Sequence, residues 1–405
     1  DNTAVNNGTM NVNTGGSFTL SDGDFTNSGT LSIAKGRSMT MADGTTLNNS
    51  GSIILTSDSN EYARLKLNGT YNQTGSGNVT YGRFVTGVSA NWDLIGSPTT
   101  NTDAADFISA NGDIAQSGSD YGIGPYNNNN NAWTTWSNGD AISNGDLTSG
   151  KGYQMAASGS SGAAMEFTGS INAGSVSISV INNDALNSGS GTRFNLLANP
   201  YPSFINVNSS AGTNNVIGIN GSSGNSVMMS GAFNCIYAWG GSSYTTINQA
   251  SGAAYMAPGQ GFMMAAESTS NANFQFTANM QTSSGSDDFI SGDAMNPDRA
   301  ELFINLNQNY LDRHTEIYFL EEGSDGLDIG YDSSTYTFAN NLIYSRLISD
   351  DEGIDMSIQS LNFDEINDKV IPLGINAEAG EEAIISISHN TTNPSTYVYL
   401  EDALE

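Results

Sequence analysis

The sequence predicts an all-β protein made of a short N-terminal β-solenoid, a duplicated central β-sandwich and a C-terminal antiparallel β-sandwich. Three observations carry that expectation. Gly, Ser, Thr and Asn are plentiful while Lys, Arg and Glu are scarce before residue 287, which disfavours long helices and favours short strands joined by turns. Two internal repeats of different length fill the chain up to residue 282. Beyond residue 293 the composition changes to acidic segments with period-two alternation.

The shorter repeat spans residues 1–88. Asn7-Gly8-Thr9-Met10-Asn11-Val12, Ser28-Gly29-Thr30-Leu31-Ser32-Ile33 and Ser50-Gly51-Ser52-Ile53-Ile54-Leu55 follow one another at spacings of 21 and 22 residues. Between them lie Ser17-Phe18-Thr19-Leu20, Ser38-Met39-Thr40-Met41 and Arg64-Leu65-Lys66-Leu67, then Asp24-Phe25-Thr26, Thr46-Leu47-Asn48 and Thr70-Tyr71-Asn72. Three short alternating strands per period, turned by Asp22-Gly23, Asp43-Gly44 and Asn68-Gly69, make a solenoid coil with apolar residues pointing into the stack. No capping helix precedes Asp1, so the first coil is expected to meet further coils upstream or a docking partner. The start in mid-pattern at Asp1-Asn2-Thr3 fits a removed leader or a trimmed end equally.

The longer repeat spans 89–282, with copies at about 89–180 and 181–282. Trp92-Asp93-Leu94-Ile95-Gly96-Ser97-Pro98 answers to Phe194-Asn195-Leu196-Leu197-Ala198-Asn199-Pro200, and Gly150-Lys151-Gly152-Tyr153-Gln154-Met155 answers to Gly259-Gln260-Gly261-Phe262-Met263-Met264. Ala132–Trp136 pairs in the same order with Ser243–Ile247, and Met165–Gly169 with Phe274–Ala278. Two such copies are expected to close into a sandwich with pseudo-twofold symmetry. The prolines sit just past strands, where they cost no ladder bond, and the paired glycines suggest a close backbone approach.

Residues 283–293 read as a linker and 294–405 as a separate sandwich of seven or eight strands, the last being Thr396–Glu401. Net charge is −30, and from Asp287 to Glu405 there are 25 acids against 4 bases. Such a chain repels phosphate backbones, so nucleic acid is excluded as a partner. No window approaches 18 uninterrupted apolar residues, so no membrane span is expected. The single cysteine, Cys235, lies in an apolar run and reads as a buried inert thiol.

Leu197-Ala198-Asn199-Pro200-Tyr201-Pro202-Ser203, together with Ala257-Pro258-Gly259-Gln260-Gly261-Phe262, resembles the paired signature of large surface and secreted proteins of the Bacteroidota exported by the type IX secretion system. Asp325–Asp332, Ile343–Leu347 and Val370–Ile375 are similar to the module that precedes the sorting domain in those proteins. The resemblance covers about residues 90–405 and implies export across the outer membrane to an extracellular or cell-surface location; in such proteins the sorting domain would follow Glu405, and its absence from the sequence implies cleavage on export or truncation. It implies no chemistry.

The residues themselves offer no catalytic constellation, and a non-enzyme is expected. His314 and His389 are the only histidines and read as polar surface residues; no strained nucleophile turn accompanies them. With two histidines and one cysteine, an ordinary transition-metal site is out of reach. Calcium is the candidate ion, at Asp325, Asp328 and Asp332, whose carboxylates are interleaved with Gly326 and Gly330, against the plainer reading of a solvated acidic loop. Trp133 and Trp136 are candidate glycan contacts, against the plainer reading of core strand residues. The expected function is a structural or adhesive surface protein. It self-assembles as a fibre or surface-layer subunit by strand pairing between the solenoid end of one copy and the C-terminal region of the next. A carbohydrate-binding adhesin and a polysaccharide-degrading enzyme are the alternatives.

Overall fold

The computed structural model describes residues 3–13, 15–88, 91–184, 190–218, 224–241, 243–285, 291–292, 299–309, 311–336 and 342–402. The chain divides into two compact units. The first holds Asp1–Met229, Ile236–Thr245 and Ala253–Gly292; the second holds Ser230–Cys235, Thr246–Gly252 and Asp293–Glu405.

The first unit begins with the solenoid. Its strands are β1 (Thr3–Asn6), β2 (Thr9–Val12), β3 (Ser17–Leu20), β4 (Asp24–Asn27), β5 (Thr30–Ile33), β6 (Ser38–Met41), β7 (Thr46–Asn49), β8 (Ser52–Leu55), β9 (Arg64–Leu67), β10 (Thr70–Gln73) and β11 (Asn78–Val85). They stack into three parallel sheets, β1-β4-β7-β10, β2-β5-β8-β11 and β3-β6-β9. The sequence repeat is thus the hydrogen-bond register: Phe25 lies opposite Leu47, Leu31 opposite Ile53 and Met39 opposite Leu65. Alternation sends these side chains inward, where Leu31, Ile33, Met39, Met41, Leu47, Ile53, Leu55, Leu65 and Leu67 are fully buried. Each such side chain contributes about 1.5–3 kcal/mol by leaving water.

The later coils run into the central block. β11 adds the antiparallel strand Ala163–Gly169 to its sheet. On β9, the Leu65 N–H donates to the Pro202 carbonyl (2.7 Å), and Gln281 exchanges two bonds with the Leu67 backbone (3.1 and 3.2 Å). Pro202 lacks an N–H but keeps its carbonyl, which is the group this edge requires. Beneath the junction the buried Arg83 donates to the Tyr62 hydroxyl (2.8 Å) and to Gln260 Oε1 (2.7 Å). Burial pushes the neighbouring Asp93 carboxyl up, and the Arg83 charge pulls it back down.

The duplication is written into the pairing. Asp93–Ile95 pairs antiparallel with Tyr153–Met155, and Phe194–Ala198 pairs antiparallel with Gly261–Ala265. Leu94 faces Gln154, and their counterparts Leu196 and Met263 face each other; Ile95 faces Tyr153 just as Leu197 faces Phe262. The copies also meet each other reciprocally. Ile95 bridges Gln260 and Lys151 bridges Leu197; the Gly96 N–H donates to the Gly259 carbonyl (2.8 Å) and the Ala198 N–H to the Gly150 carbonyl (2.9 Å). Each contact becomes the other when the copies are exchanged, which is the mark of an isologous, pseudo-twofold interface. Gly152 and its counterpart Gly261 lie where the backbones crowd: a Cβ would stand 2.5 Å from the Leu196 side chain at one and 2.6 Å from the Leu94 carbonyl carbon at the other.

Two short helices interrupt the β structure: α1 (Ala104–Ala110), capped by Asp103, and α2 (Asn138–Asn144), opened by a Ser137–Asp140 capping box. Of the expected linker, residues 286–290 and 293 lie outside the described residues, and Ser291–Gly292 pairs with Ala253–Ala254.

The second unit is built on a seven-stranded sheet. Leu373–Asn376, Leu342–Ser345, Met356–Asn362, Leu311–Leu320, Ala300–Gln308 and Ile384–Asn390 follow in that spatial order, and Ser333–Ser334 also pairs with Met356–Asn362. Pairing is antiparallel except between Leu311–Leu320 and Met356–Asn362, which run parallel. One face buries Leu302, Ile304, Leu306, Ile317, Phe319, Ile343 and Leu361. The other packs Tyr318, Leu320 and Ile358 against Ala250. Asn248 fixes that covering segment by donating to the Tyr331 carbonyl (2.7 Å) and the Ser333 hydroxyl (2.9 Å). Thr396–Glu401, expected as a strand, forms no ladder with any described residue.

Candidate functional site

Two surfaces present β structure without a partner among the described residues. The first is the outer side of coil one. β1, β2 and β3 each pair on one side only. Met10, Phe18 and Leu20 are half-buried and Ala4 is exposed, whereas their successors Leu31, Met39, Met41 and Phe25 are buried.

A row of buried asparagines runs through the same stack. Asn6 Nδ2 donates to Asn27 Oδ1 (2.8 Å) and to the Thr30 carbonyl (3.0 Å). Asn27 Nδ2 donates to Asn49 Oδ1 (2.8 Å) and to the Ser52 carbonyl (3.1 Å). Asn49 Nδ2 reaches the Asn78 carbonyl (3.1 Å) and, at 3.4 Å, the Tyr71 hydroxyl. An amide offers both donor and acceptor, so identical side chains stacked in register satisfy each other in the interior. The ladder therefore has a direction, running from Asn6 to a tyrosine hydroxyl at β10.

The second surface is Ala383–Leu400. In a unit dominated by acids it is 18 residues long without an Asp, Glu, Lys or Arg, bracketed by Glu381-Glu382 and Glu401-Asp402. It supplies the edge strand Ile384–Asn390 and then a segment outside any ladder, and it exposes Ile384, Ile387, Tyr397, Val398, Tyr399 and Leu400. Tyr397 and Tyr399 are 77% and 84% exposed, with their rings aligned on one side of the chain 6.4 Å apart. A β-prone edge without charged guards is the usual template for pairing with another chain.

Both histidines share one face of the C-terminal sheet, which sequence reasoning did not anticipate. His314 Nε2 bonds Glu316 Oε1 and His389 Nε2 bonds Glu301 Oε2, each at 2.9 Å, on either side of the Phe303 ring. Tyr318 donates to Glu316 Oε2 (2.7 Å), and Arg299 forms an ion pair with Glu301. Burial and the two glutamates hold the Tyr318 phenol well above its usual range. The signal lay in the alternation: Glu301 and Phe303, and His314, Glu316 and Tyr318, are every second residue on neighbouring strands. The ring centroids lie 6.1 and 4.8 Å from Phe303, one on each side of it.

The acidic turn is internally satisfied. Asp325 forms an ion pair with Lys369. Asp328 accepts from the Ser324 N–H (2.6 Å) and hydroxyl (2.9 Å). Asp332 is fully buried and accepts the Asp328 N–H (2.7 Å) and the Ser360 N–H (2.6 Å). Burial pushes the Asp332 carboxyl up to about 7 against the pull of those two bonds. Among the described residues, no group of three or more His, Cys, Asp or Glu side chains could hold a metal ion.

The tryptophans part company. Trp136 packs in the core edge-on to Tyr153 (5.3 Å), while Trp133 is 39% exposed and leans on Tyr126 (4.9 Å). Tyr126 is anchored through its hydroxyl to Asn131 (2.8 Å), which steadies the pair beneath the exposed indole.

Fold and sites define an all-β protein with an N-terminal β-solenoid and strand surfaces that have no partner among the described residues. No helix among the described residues is long and apolar enough to cross a membrane. The chain belongs to the family described as Domain of unknown function (DUF8693), whose model matches residues 4–405. No curated protein and no solved structure matches it significantly.

Proposed function

We propose that the protein is an extracellular structural or adhesive surface protein that self-associates through β pairing, as a fibre or surface-layer subunit. The observation that carries this reading is the exposed, charge-free stretch Ala383–Leu400 within a unit of 23 acids and 4 bases. Strongly like-charged units repel at long range, so a patch where two copies can approach must be free of acids, and this one is also apolar and strand-forming. The resemblance to exported Bacteroidota surface proteins supports the extracellular setting and a type IX route. Light scattering across a concentration series at physiological salt tests the reading: mass should grow with concentration, and a chain that stays monomeric at the highest concentration contradicts it.

A carbohydrate-binding adhesin is the second reading, favoured by the exposed Trp133 ring on Tyr126. Glycan-array binding that disappears in Trp133→Ala but survives in Trp136→Phe would support it.

A further inference from the structure

We infer that the central block carries two equivalent sites for a neutral glycan, one in each copy of its duplication, formed by the ring pairs Tyr126–Trp133 and Trp239–Tyr244. This rests on the carbohydrate-binding reading and adds to it a second site.

Strand pairing puts the two ring pairs at the same points of the repeat. Gly124 lies opposite Gln154, and Tyr237 lies opposite Met263, the counterpart of Gln154; Tyr126 and Trp239 each follow two residues later. Trp133 and Tyr244 are the second residues of the matched runs 132–136 and 243–247. Trp133 lies directly across from Tyr126, and Tyr244 opens the strand beside Ile236–Trp239. In both copies the ring centroids are 4.9 Å apart, with the rings tilted by 50° in one and 54° in the other. Tyrosine and tryptophan have changed places, yet spacing and tilt are kept.

The first ring of each pair is anchored at the start of the other copy's first strand. The Tyr126 hydroxyl lies 3.3 Å from the Thr192 hydroxyl, two residues before Phe194–Ala198. Trp239 Nε1 donates to the carbonyl of Trp92 (2.6 Å), the residue before Asp93–Ile95. The second ring of each pair meets water: Trp133 is 39% exposed and Tyr244 is half-buried. Rings that served only to hold a hairpin together would gain by full burial, so ring surface left in water at the same place twice is surface for a ligand.

The surroundings of the rings set the ligand's chemistry. A flat indole or phenol accepts the apolar C–H face of a pyranose, whose hydroxyl rim needs polar, uncharged partners. Asn131 and Thr134 are exposed beside Trp133, and Thr245, the counterpart of Thr134, is exposed beside Tyr244. Residues 121–139 and 236–247 contain no Asp, Glu, Lys or Arg. With no cation at either hairpin and a net charge of −30, an anionic glycan is repelled and a neutral one is not. A repeating neutral polymer can engage both sites of one chain, which raises its apparent affinity above that of either site.

Affinity electrophoresis of the full chain tests the inference, in gels containing hydroxyethylcellulose, laminarin or galactomannan, with polygalacturonate as the anionic control. The wild type should be retarded by at least one of the three neutral polymers and not by polygalacturonate. W133A and Y244A should each weaken retardation about tenfold, and W133A/Y244A should migrate as in a polymer-free gel. W133F/Y244F, which keeps an aromatic ring at both positions, should stay retarded. Unchanged melting of the variants shows that the fold is intact. If W133A is released while Y244A runs as the wild type, the second site is overturned and the carbohydrate-binding reading stands. Retardation of W133A/Y244A equal to that of the wild type overturns both ring sites, as does retardation by polygalacturonate alone. A chain that none of the neutral polymers retards removes the inference and the reading together.

Discussion

The solenoid and the C-terminal sheet solve the same problem, covering the edges of short strands, in opposite chemical languages. In the solenoid, coils two and three bury their inward residues completely and satisfy their polar ones by repetition, as Asn27 does between Asn6 and Asn49. The C-terminal sheet is wrapped in acids, yet leaves Ile384, Ile387, Tyr397 and Tyr399 in water. An uncharged strand means little in the first region, where few residues are charged. In the second it stands out against its surroundings, and that contrast is what makes Ala383–Leu400 informative.

If the contrast is right, equal truncations should cost unequal amounts. Leu31→Ala in the solenoid removes a fully buried side chain from a stack and should cost about 2–5 kcal/mol in denaturant unfolding. Ile387→Ala, on the exposed edge strand, should change monomer stability by less than about 0.5 kcal/mol while weakening assembly. Comparable losses at both sites would break the comparison.

Asn27→Ala probes the repetition itself. It strips Asn6 Nδ2 and Asn49 Oδ1 of a partner each and deletes the bond to Ser52, so about 2–4 kcal/mol should be lost. Exposed Asn129→Ala, by contrast, should stay within about 0.5 kcal/mol.

A smaller effect belongs to pH and sharpens the other side. The Asp332 carboxyl titrates at about 7 in the fold against an ordinary value of 3.8, so between those values the folded chain holds a proton that the unfolded chain has released. Stability of the C-terminal unit should therefore fall as pH rises from about 4 to about 7, by at most about 1.4 kcal/mol per pH unit, and level off above. Asp332→Asn should flatten that slope at a lower overall stability, because an amide N–H2 then faces one of the two backbone donors. A wild-type curve that rises over this range would contradict the assignment.

Calcium should do least. Asp325 is already paired with Lys369 and both Asp332 oxygens are taken, so melting in chelator and in millimolar Ca²⁺ should agree within about 1 °C. An increase of several degrees would instead place an ion at the Asp328–Asp332 turn.

Much of the fold was legible because periodicity becomes register when strands stack. The spacings of 21 and 22 residues are the ladder of β2, β5 and β8, and the order of the long repeat is the order of its paired strands. What alternation cannot reveal is the partner. Thr396–Glu401 has a strand's sequence but meets no ladder among the described residues, and Thr246–Gly252 folds with the C-terminal sheet because Asn248 and Ala250 find bonds and packing there. The site was less legible still. Asp325, Asp328 and Asp332 were readable as an acidic turn, but Lys369, which claims Asp325, lies 44 residues further on. Of the two His–Glu pairs, His314–Glu316 lies two residues apart on one strand, whereas Glu301 and His389 are 88 residues apart and meet only once their strands are paired.

The central claim, that the uncharged stretch is where copies meet, has one direct test. Sedimentation velocity is run on the wild type and on Ile387→Glu/Tyr399→Glu, two exposed positions made to match the acidic surface around them. The account predicts larger species for the wild type that grow with concentration, and a monomer with unchanged melting for the variant. A variant that assembles as well as the wild type would contradict it.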